Sequence, residues 1–411
     1  MERITWILIV VIAFSGSCKP QSDASNDKLK DSITSDGTIE LTSPAGLNSS
    51  LPYLTLGDDK QLYLSWLEEK QDSTYLYYSK WQENKWAPAS LITSGNNWFV
   101  NWADYPMIAV NKHGQMMAHY LVKSDTSAYA YDVTLRTSVD GLNWSEPFTP
   151  HQDGTATEHG FVSMVPMPDG SFQTNWLDGR HTGGHNHEQG AGAMTLRTAQ
   201  VSVNGDISHE VELDSRVCDC CQTTATIVKG QPVVFYRDRS SEEIRDMSMA
   251  YLQNGLWADG QNLHSDRWKI AGCPVNGPRA ASWGSTLAVA WFTAANNQPL
   301  VKMKFIQDLD SIPLNAVTLP DSNALGRVDL AWVDSNQVLV SWLSKTGDGA
   351  GLKIARIDSS GQVLSTSKVV HTSAARNSGF PQLAVSHGTP FLAWTEVDSL
   401  QNTRVKVALI E

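Results

Sequence analysis

Seven times between Leu62 and Trp394 the chain runs apolar and then closes on an aromatic residue: LYLSW at Trp66, MMAHY at Tyr120, FQTNW at Trp176, VVFY at Tyr236, LAVAW at Trp291, VLVSW at Trp342 and PFLAW at Trp394. Successive closing residues lie 54, 56, 60, 55, 51 and 52 positions apart. Such spacing marks a repeat architecture, in which each unit buries its apolar face against the next. A second apolar stretch precedes each aromatic, from Pro52, Pro106, Val162, Gln222, Gly277, Val328 and Phe380. Turn residues such as Gly57-Asp58-Asp59 and Pro168-Asp169-Gly170 separate the two. Strand, turn and strand at about fifty residues per unit fit the four-stranded blades of a β-propeller. The 29 Gly, 17 Pro and 15 Trp belong with short strands and turns and exclude a helical bundle.

The expectation is an all-β, seven-bladed β-propeller over residues 37–411, with a six-bladed ring as the alternative. Third strands are predicted at Tyr75 to Lys80, Ala193 to Gln200, Met247 to Leu252 and Leu352 to Ile357, and fourth strands near Trp86, Trp144 and Trp257. The last unit offers only three strands before Glu411. Thr38-Ile39-Glu40-Leu41-Thr42 alternates as a strand should, and it is expected to supply the missing one and close the ring without leaving a long open edge.

The first 36 residues read as an address and a tether. Arg3 precedes an apolar run from Ile4 to Phe14, too short to cross a bilayer but suited to a secretory h-region. Ser15-Gly16-Ser17-Cys18 resembles a bacterial lipoprotein cleavage site, which predicts a signal peptide over residues 1–17 and a lipid anchor on Cys18. Residues 18–36 are polar and form the expected flexible tether. The chain is thus expected to be exported and lipid-anchored to the bacterial cell envelope. It would be monomeric and touch the membrane through the anchor alone. Asp and Glu number 43 against 31 Lys and Arg, a net charge of −12 that argues against nucleic acid as partner. Beyond Cys18 stand Cys218, Cys220, Cys221 and Cys273. An even set in an exported chain reads as two disulfides, with a reduced thiolate metal site as the competing reading.

Ser138-Val139-Asp140-Gly141-Leu142-Asn143-Trp144 resembles the Asp-box of sialidase-like BNR-repeat propellers, one residue short of the usual pattern. The segments CDCCQT, FYRDRSSEEIRD, GCPVNGP and GRVD resemble uncharacterised bacterial exo-α-sialidase-like lipoproteins. In that family the Asp-box is a folding turn whose carboxylate holds backbone N–H groups, and the six-bladed ring is the sialidase form. The resemblance also implies a first-blade arginine and a late tyrosine nucleophile, and neither is present. No arginine lies between Arg3 and Arg136, and no tyrosine follows Tyr251. Authentic sialidase chemistry is therefore not expected.

Loops entering the inner strands, and loops joining second to third strands, open on one face of a propeller. The repeat places there Trp98, Trp102 and Asp104 before blade two, His159 before blade three, and the loop from Arg180 through His181, His185, His187 and Glu188. Blade four adds Cys218 to Cys221 and the run Arg237-Asp238-Arg239 to Arg245, and blade five adds Cys273, Asn276 and Arg279, with Arg327 next. Asp238, Arg237, Arg245, His159 and Arg180 are candidate catalytic groups, because arginine forks hold anions while a nearby acid moves a proton. Trp98, Trp102, Asp104, Arg239, Asn276, Arg279 and Arg327 are candidate substrate contacts, the indoles offering flat faces to sugars. His181, His185, His187 and Glu188 could wrap zinc or copper, with the cysteines joining them if reduced. The leading expectation is a propeller that binds an anionic glycan or other small anion, with cleavage as its further step. The alternatives are a copper- or zinc-binding or redox protein and a non-catalytic scaffold.

Overall fold

The computed structural model describes Met1 and residues 37–183, 192–253, 255–347 and 349–411. The chain divides into two units, Met1–Asp31 and Ser32–Glu411, and the expected signal and tether lie outside the described residues. The second unit is a seven-bladed propeller. Its inner strands are Ser49–Leu56, Met107–Val110, His159–Pro166, Thr224–Val228, Arg279–Trp283, Ala324–Asp334 and Gln382–Ser386. Each begins close to where the repeat placed it. Each packs beside the next, and Ser49–Leu56 also meets Gln382–Ser386, so the ring closes. The only helical pieces among the described residues are 3-10 turns at Ala295–Asn297 and Arg376–Ser378.

Closure works as the three-stranded last unit requires. Thr38–Leu41 pairs antiparallel with the final strand, Thr38 opposite Ile410 and Leu41 opposite Val407. Lys406 Nζ to Glu40 at 2.6 Å fastens the same pair. Two of the expected fourth strands are two-residue hairpin ends instead, Lys85–Trp86 and Leu256–Trp257, and the outer strands Ser90–Gly95 and Gln261–His264 follow them. In blade two the outer position is held among the described residues by two bridges, Leu135 to Phe148 and Ser138 to Trp144.

The Asp-box-like turn sits here as a folding element. Asp140 Oδ1 accepts the N–H groups of Leu142 and Asn143 at 2.9 and 2.8 Å, and those bonds hold its carboxyl well below the ordinary carboxylate range.

The aromatic caps of the second strands fill the spaces between blades. Trp66, Trp176, Trp291 and Trp342 are wholly buried, and a buried indole N–H needs an acceptor. The acceptors are carboxylates: Glu68 at 2.9 Å, and Asp178, Asp266 and Asp321 each at 2.8 Å. Part of the acidic excess is therefore structural.

Inner strands one, three and six share a bulge at their entry. Register shifts between Ser50 and Tyr53, Gly160 and Ser163, and Gly326 and Asp329. Leu51, Phe161 and Arg327 sit at φ of 52°, 53° and 53°. Left-handed backbone costs a non-glycine residue about 1–2 kcal/mol, and a bulge re-aims the groups beside it.

Candidate active site

Asp104 lies in the loop before the inner strand of blade two and is 3% exposed. The bulge of blade three turns the Phe161 N–H toward it, and Oδ1 accepts that N–H at 2.8 Å. Gly160 is required for this approach, since a Cβ there would stand 2.1 Å from Asp104 Oδ2. Tyr131, 1% exposed, opens the third strand of blade two, Tyr131–Ser138. Its hydroxyl donates to Glu158 Oε1 at 2.6 Å and lies 3.5 Å from Asp104 Oδ2. Phe99 stacks on the Tyr131 ring with centroids 3.9 Å apart and fixes its plane. One phenol oxygen thus joins two carboxyl groups from different loops.

Burial dominates the electrostatics. It pushes Asp104 up to about 8, helped by the charge of Glu158 and opposed by the Phe161 N–H. It pushes Glu158 up to about 7, with Asp219 adding to the rise and the Tyr131 bond opposing it. Burial and both carboxylates drive the Tyr131 phenol well above its ordinary value. A carboxyl kept neutral beside an ionisable partner can donate a proton where an ordinary carboxylate cannot. Asp104 shares a pocket with Tyr105, Phe161, Gln222, Thr223 and Arg279. Gln222 braces it, donating to Ala103 O at 2.6 Å and accepting from Gly277 N at 2.9 Å.

Blade four meets the same rim. Asp219 lies near enough to Glu158 for its charge to act there, and Gly179 N donates to Glu158 O at 2.8 Å. The described start of the histidine loop and the cysteine cluster therefore flank one carboxyl group. The expected disulfides are not formed: Cys218, Cys220, Cys221 and Cys273 are free thiols. Cys218 Sγ and Cys221 Sγ are 3.4 Å apart, beyond the ~2.05 Å of a sulfur–sulfur bond. Arg245 Nη1 approaches Cys218 Sγ at 3.2 Å and the Asn276 N–H approaches Cys221 Sγ at 3.4 Å. Burial would raise the Cys218 thiol, but bonds from Cys220 and Cys221 and the charges of Arg245 and Arg237 hold it well below the usual range.

The arginines read from sequence as anion clamps have partners inside the protein. Arg237, 2% exposed, donates to the carbonyls of Asn276, Arg245 and Phe292 and stacks on Trp268. Arg239 donates through Nη1 to both oxygens of Asp219 and through Nε and Nη2 to Glu243, which Arg245 shares. Arg180 forks onto Asp178, with both bonds at 2.7 Å. Arg279 donates to the Tyr105 hydroxyl. Arg327 bonds Ser378 Oγ and the carbonyls of Ala375 and Gly379, and lies over Trp102.

The remaining candidates fall as follows. Asp238 is raised to about 6, first by burial and then by Asp214. Asn276 bridges loops, accepting the Arg327 N–H and donating to Pro274 and Leu325. Trp98 stacks on Tyr120, and Trp102 stacks on Phe380. His159 is wholly buried with Nε2 on Asp153 at 3.1 Å. His181 is exposed, whereas His185, His187, Glu188 and Cys18 lie outside the described residues. Tyr131, Glu158, Asp132, His151, Asp153 and Asp219 were not among the sequence candidates. Only Glu158 carried a signal, through its place beside His159 in an inner-strand entry.

No family model matches the chain, and no curated protein matches it. Solved structures do. A protein of unknown function from Dyadobacter fermentans is similar at 11% identity over 92% of this chain and 97% of that one, with a TM-score of 0.53. The polysaccharide lyase Uly1 is similar at 8% identity over 87% and 88%, with a TM-score of 0.51. A Hadza microbial sialidase aligns at 10% identity over 83% and 74%, with a TM-score of 0.46. At these identities the likeness is one of fold alone.

Proposed function

We propose that the protein binds a glycan at the mouth of blades two to four and cleaves it by acid–base chemistry. Asp104 donates the proton to the departing glycosidic oxygen, Glu158 is the second carboxyl group of the pair, and Tyr131 holds the two in register. The observation that carries the reading is the single phenol oxygen placed between two carboxyl groups. Paired carboxyl groups are the usual equipment for glycoside hydrolysis. A polysaccharide lyase among the structures of like fold supports the substrate class. The expectation of an anionic ligand rested on arginines that the fold engages internally, so the proposal covers neutral and charged glycans alike.

The test is a cleavage screen over neutral, sulfated and uronic-acid oligosaccharides with the purified chain and with Asp104→Asn and Glu158→Gln. Loss of a general acid or base costs typically 10²–10⁴-fold in rate. A cleaving activity unchanged in both variants, or no activity and no glycan binding on any class, overturns the reading. The proposal includes export and anchoring through Cys18, for which Cys18→Ala should release the protein from the membrane fraction.

A second reading has its own observation. Cys218, Cys220 and Cys221 each offer a sulfur within 4.8 Å of the others, and the Cys220 thiol donates a hydrogen bond to the Cys273 sulfur. Free thiols so gathered suit a soft cation such as Cu(I) or zinc. Copper(I) retained against a chelator by the native chain and lost in Cys218→Ser plus Cys221→Ser supports it. No retention ends it.

A further inference from the structure

The cysteines of blades four and five come from two loops, and the fold sets them at different depths. Cys218 and Cys221 are each 1% exposed, Cys220 is half-buried and Cys273 is exposed. The Cys220 sulfur lies within hydrogen-bonding reach of the two buried sulfurs and of the exposed one. Sulfur thus runs without a break from the interior to solvent.

The inner end of this line is held fast. Cys218 N donates to Arg237 O at 3.0 Å, Arg245 Nη1 stands 3.2 Å from Cys218 Sγ, and the Asn276 N–H approaches Cys221 Sγ at 3.4 Å. Asp219, between Cys218 and Cys220, is gripped by Arg239. Gln222, next to Cys221, is fastened through both ends of its amide.

The outer end is an arm between two pinned points. At one, the Ile270 N–H donates to Glu243 O at 3.0 Å. At the other, the Asn276 carbonyl accepts Arg237 Nε and Nη2 at 3.0 and 2.8 Å. Among the described residues, no backbone–backbone hydrogen bond ties Ala271 through Val275. A Cβ on Gly272 would meet only Ile270, at 4.0 Å, so the arm has open space beside it. Few backbone bonds and few neighbours make a segment easy to displace, and Cys273 rides on that segment.

We propose that the quartet is a relay for copper(I): the ion sits on Cys218, Cys220 and Cys221, and enters or leaves through Cys273, which exchanges it with a carrier that presents sulfur ligands. The proposal rests on the thiol reading above and adds to it a route and a kind of partner. Copper(I) is soft and selects thiolate and thioether ligands, so only another soft donor draws it from three sulfurs. Exchange is associative, one copper–sulfur bond forming before another breaks. At each hop the receiving thiol gives up its proton, the sulfur left behind takes one up, and no electron moves. Three thiolates around one copper(I) leave a surplus of negative charge, which the Arg245 guanidinium, 3% exposed, offsets. A site that only stored the ion would close all its ligands inside the protein, whereas here the last sulfur stands at the surface.

The test loads the full chain with copper(I) and follows its transfer to a Cys-x-x-Cys peptide, with copper measured after a filtration that retains only the protein. Competition with the chelator bicinchoninate gives the affinity in parallel. Transfer from the native chain should quicken as peptide concentration rises. Cys273→Ser should hold copper(I) nearly as tightly as the native chain but deliver it about tenfold more slowly. Cys273→Met, which restores a soft sulfur, should recover most of the rate, and Cys218→Ser should lose the affinity itself. The relay alone falls, with the thiol reading left standing, if the native chain retains copper and Cys273→Ser delivers it as fast or faster. It falls in the same way if Cys273→Met is no faster than Cys273→Ser, if the rate ignores peptide concentration, or if Cys273→Ser loses affinity as Cys218→Ser does. A native chain that retains no copper(I) ends the thiol reading and the relay together.

Discussion

The Tyr131 hydroxyl donates to Glu158 at 2.6 Å, across the boundary between blades two and three. The backbone repeats the link, with Tyr131 N bonded to Thr157 O at 3.2 Å. A ring of wedges lacks covalent joints between its sheets except the connecting loops, so side-chain bonds of this kind set how adjacent blades meet. Tyr131→Phe keeps the ring and removes the bond. The expected outcome is a loss of about 1–2 kcal/mol in stability and at least a tenfold fall in any glycan cleavage, read by urea unfolding and by turnover.

Asp104 makes stability depend on pH in a defined direction. Its folded pKa is about 8 against an ordinary 3.8, and the groups facing it are Tyr131 and Glu158. Below pH 4 the carboxyl is protonated folded and unfolded. Between 4 and 8 the unfolded chain gains by ionising and the folded chain does not, so stability falls as pH rises through this window. Asp104→Asn mimics the neutral acid and should flatten that slope. Urea midpoints at pH 5, 7 and 8.5 check it, and parallel profiles for the two proteins would show Asp104 to be ionised. Cleavage that needs the acid form should likewise decline above about pH 8.

Arg237 should behave as a core residue. Its guanidinium satisfies three carbonyls from three stretches of chain. Arg237→Ala leaves those carbonyls bare and opens a cavity, which should cost about 3 kcal/mol or more. Arg237→Lys should recover little, since an ammonium cannot reproduce the planar fork. Denaturant unfolding measures both.

The closing strand should matter far beyond its size. Deleting residues 37–41 bares the edge of Thr403–Ile410, the partner of Thr38–Leu41. A lower melting temperature by roughly 5 °C and concentration-dependent association through the bare edge are expected, read by calorimetry and light scattering.

The blades were legible because each must repeat the same burial, and burial writes the same apolar run and aromatic cap into sequence every fifty-odd residues. The closing strand was legible for a related reason: a unit one strand short requires a partner, and Thr38 to Thr42 alternates suitably. The site was not. Asp104, Tyr131 and Glu158 belong to three separate stretches, and no spacing rule connects a loop acid, a strand tyrosine and a second loop acid. The run FYRDRSSEEIRD allowed an anion clamp and an internal ion-pair network alike, since the acceptors of its arginines are set only by the fold. Four cysteines read as two bridges, but pairing depends on distances that only the folded loops set.

The sequence by itself favoured seven wedges over six and indicated their order and the strand that seals them, because periodic burial is a local property repeated along the chain. Tertiary structure alone decided which polar groups keep a free valence. Arg237 and Arg327 end on carbonyls, Tyr131 ends between two acids, and His151 and His159 end stacked on one shared Asp153. Hydrogen bonds saturate at contact distance, so where each donor is satisfied depends on neighbours far away in the chain, and no residue pattern can report that before the ring has closed.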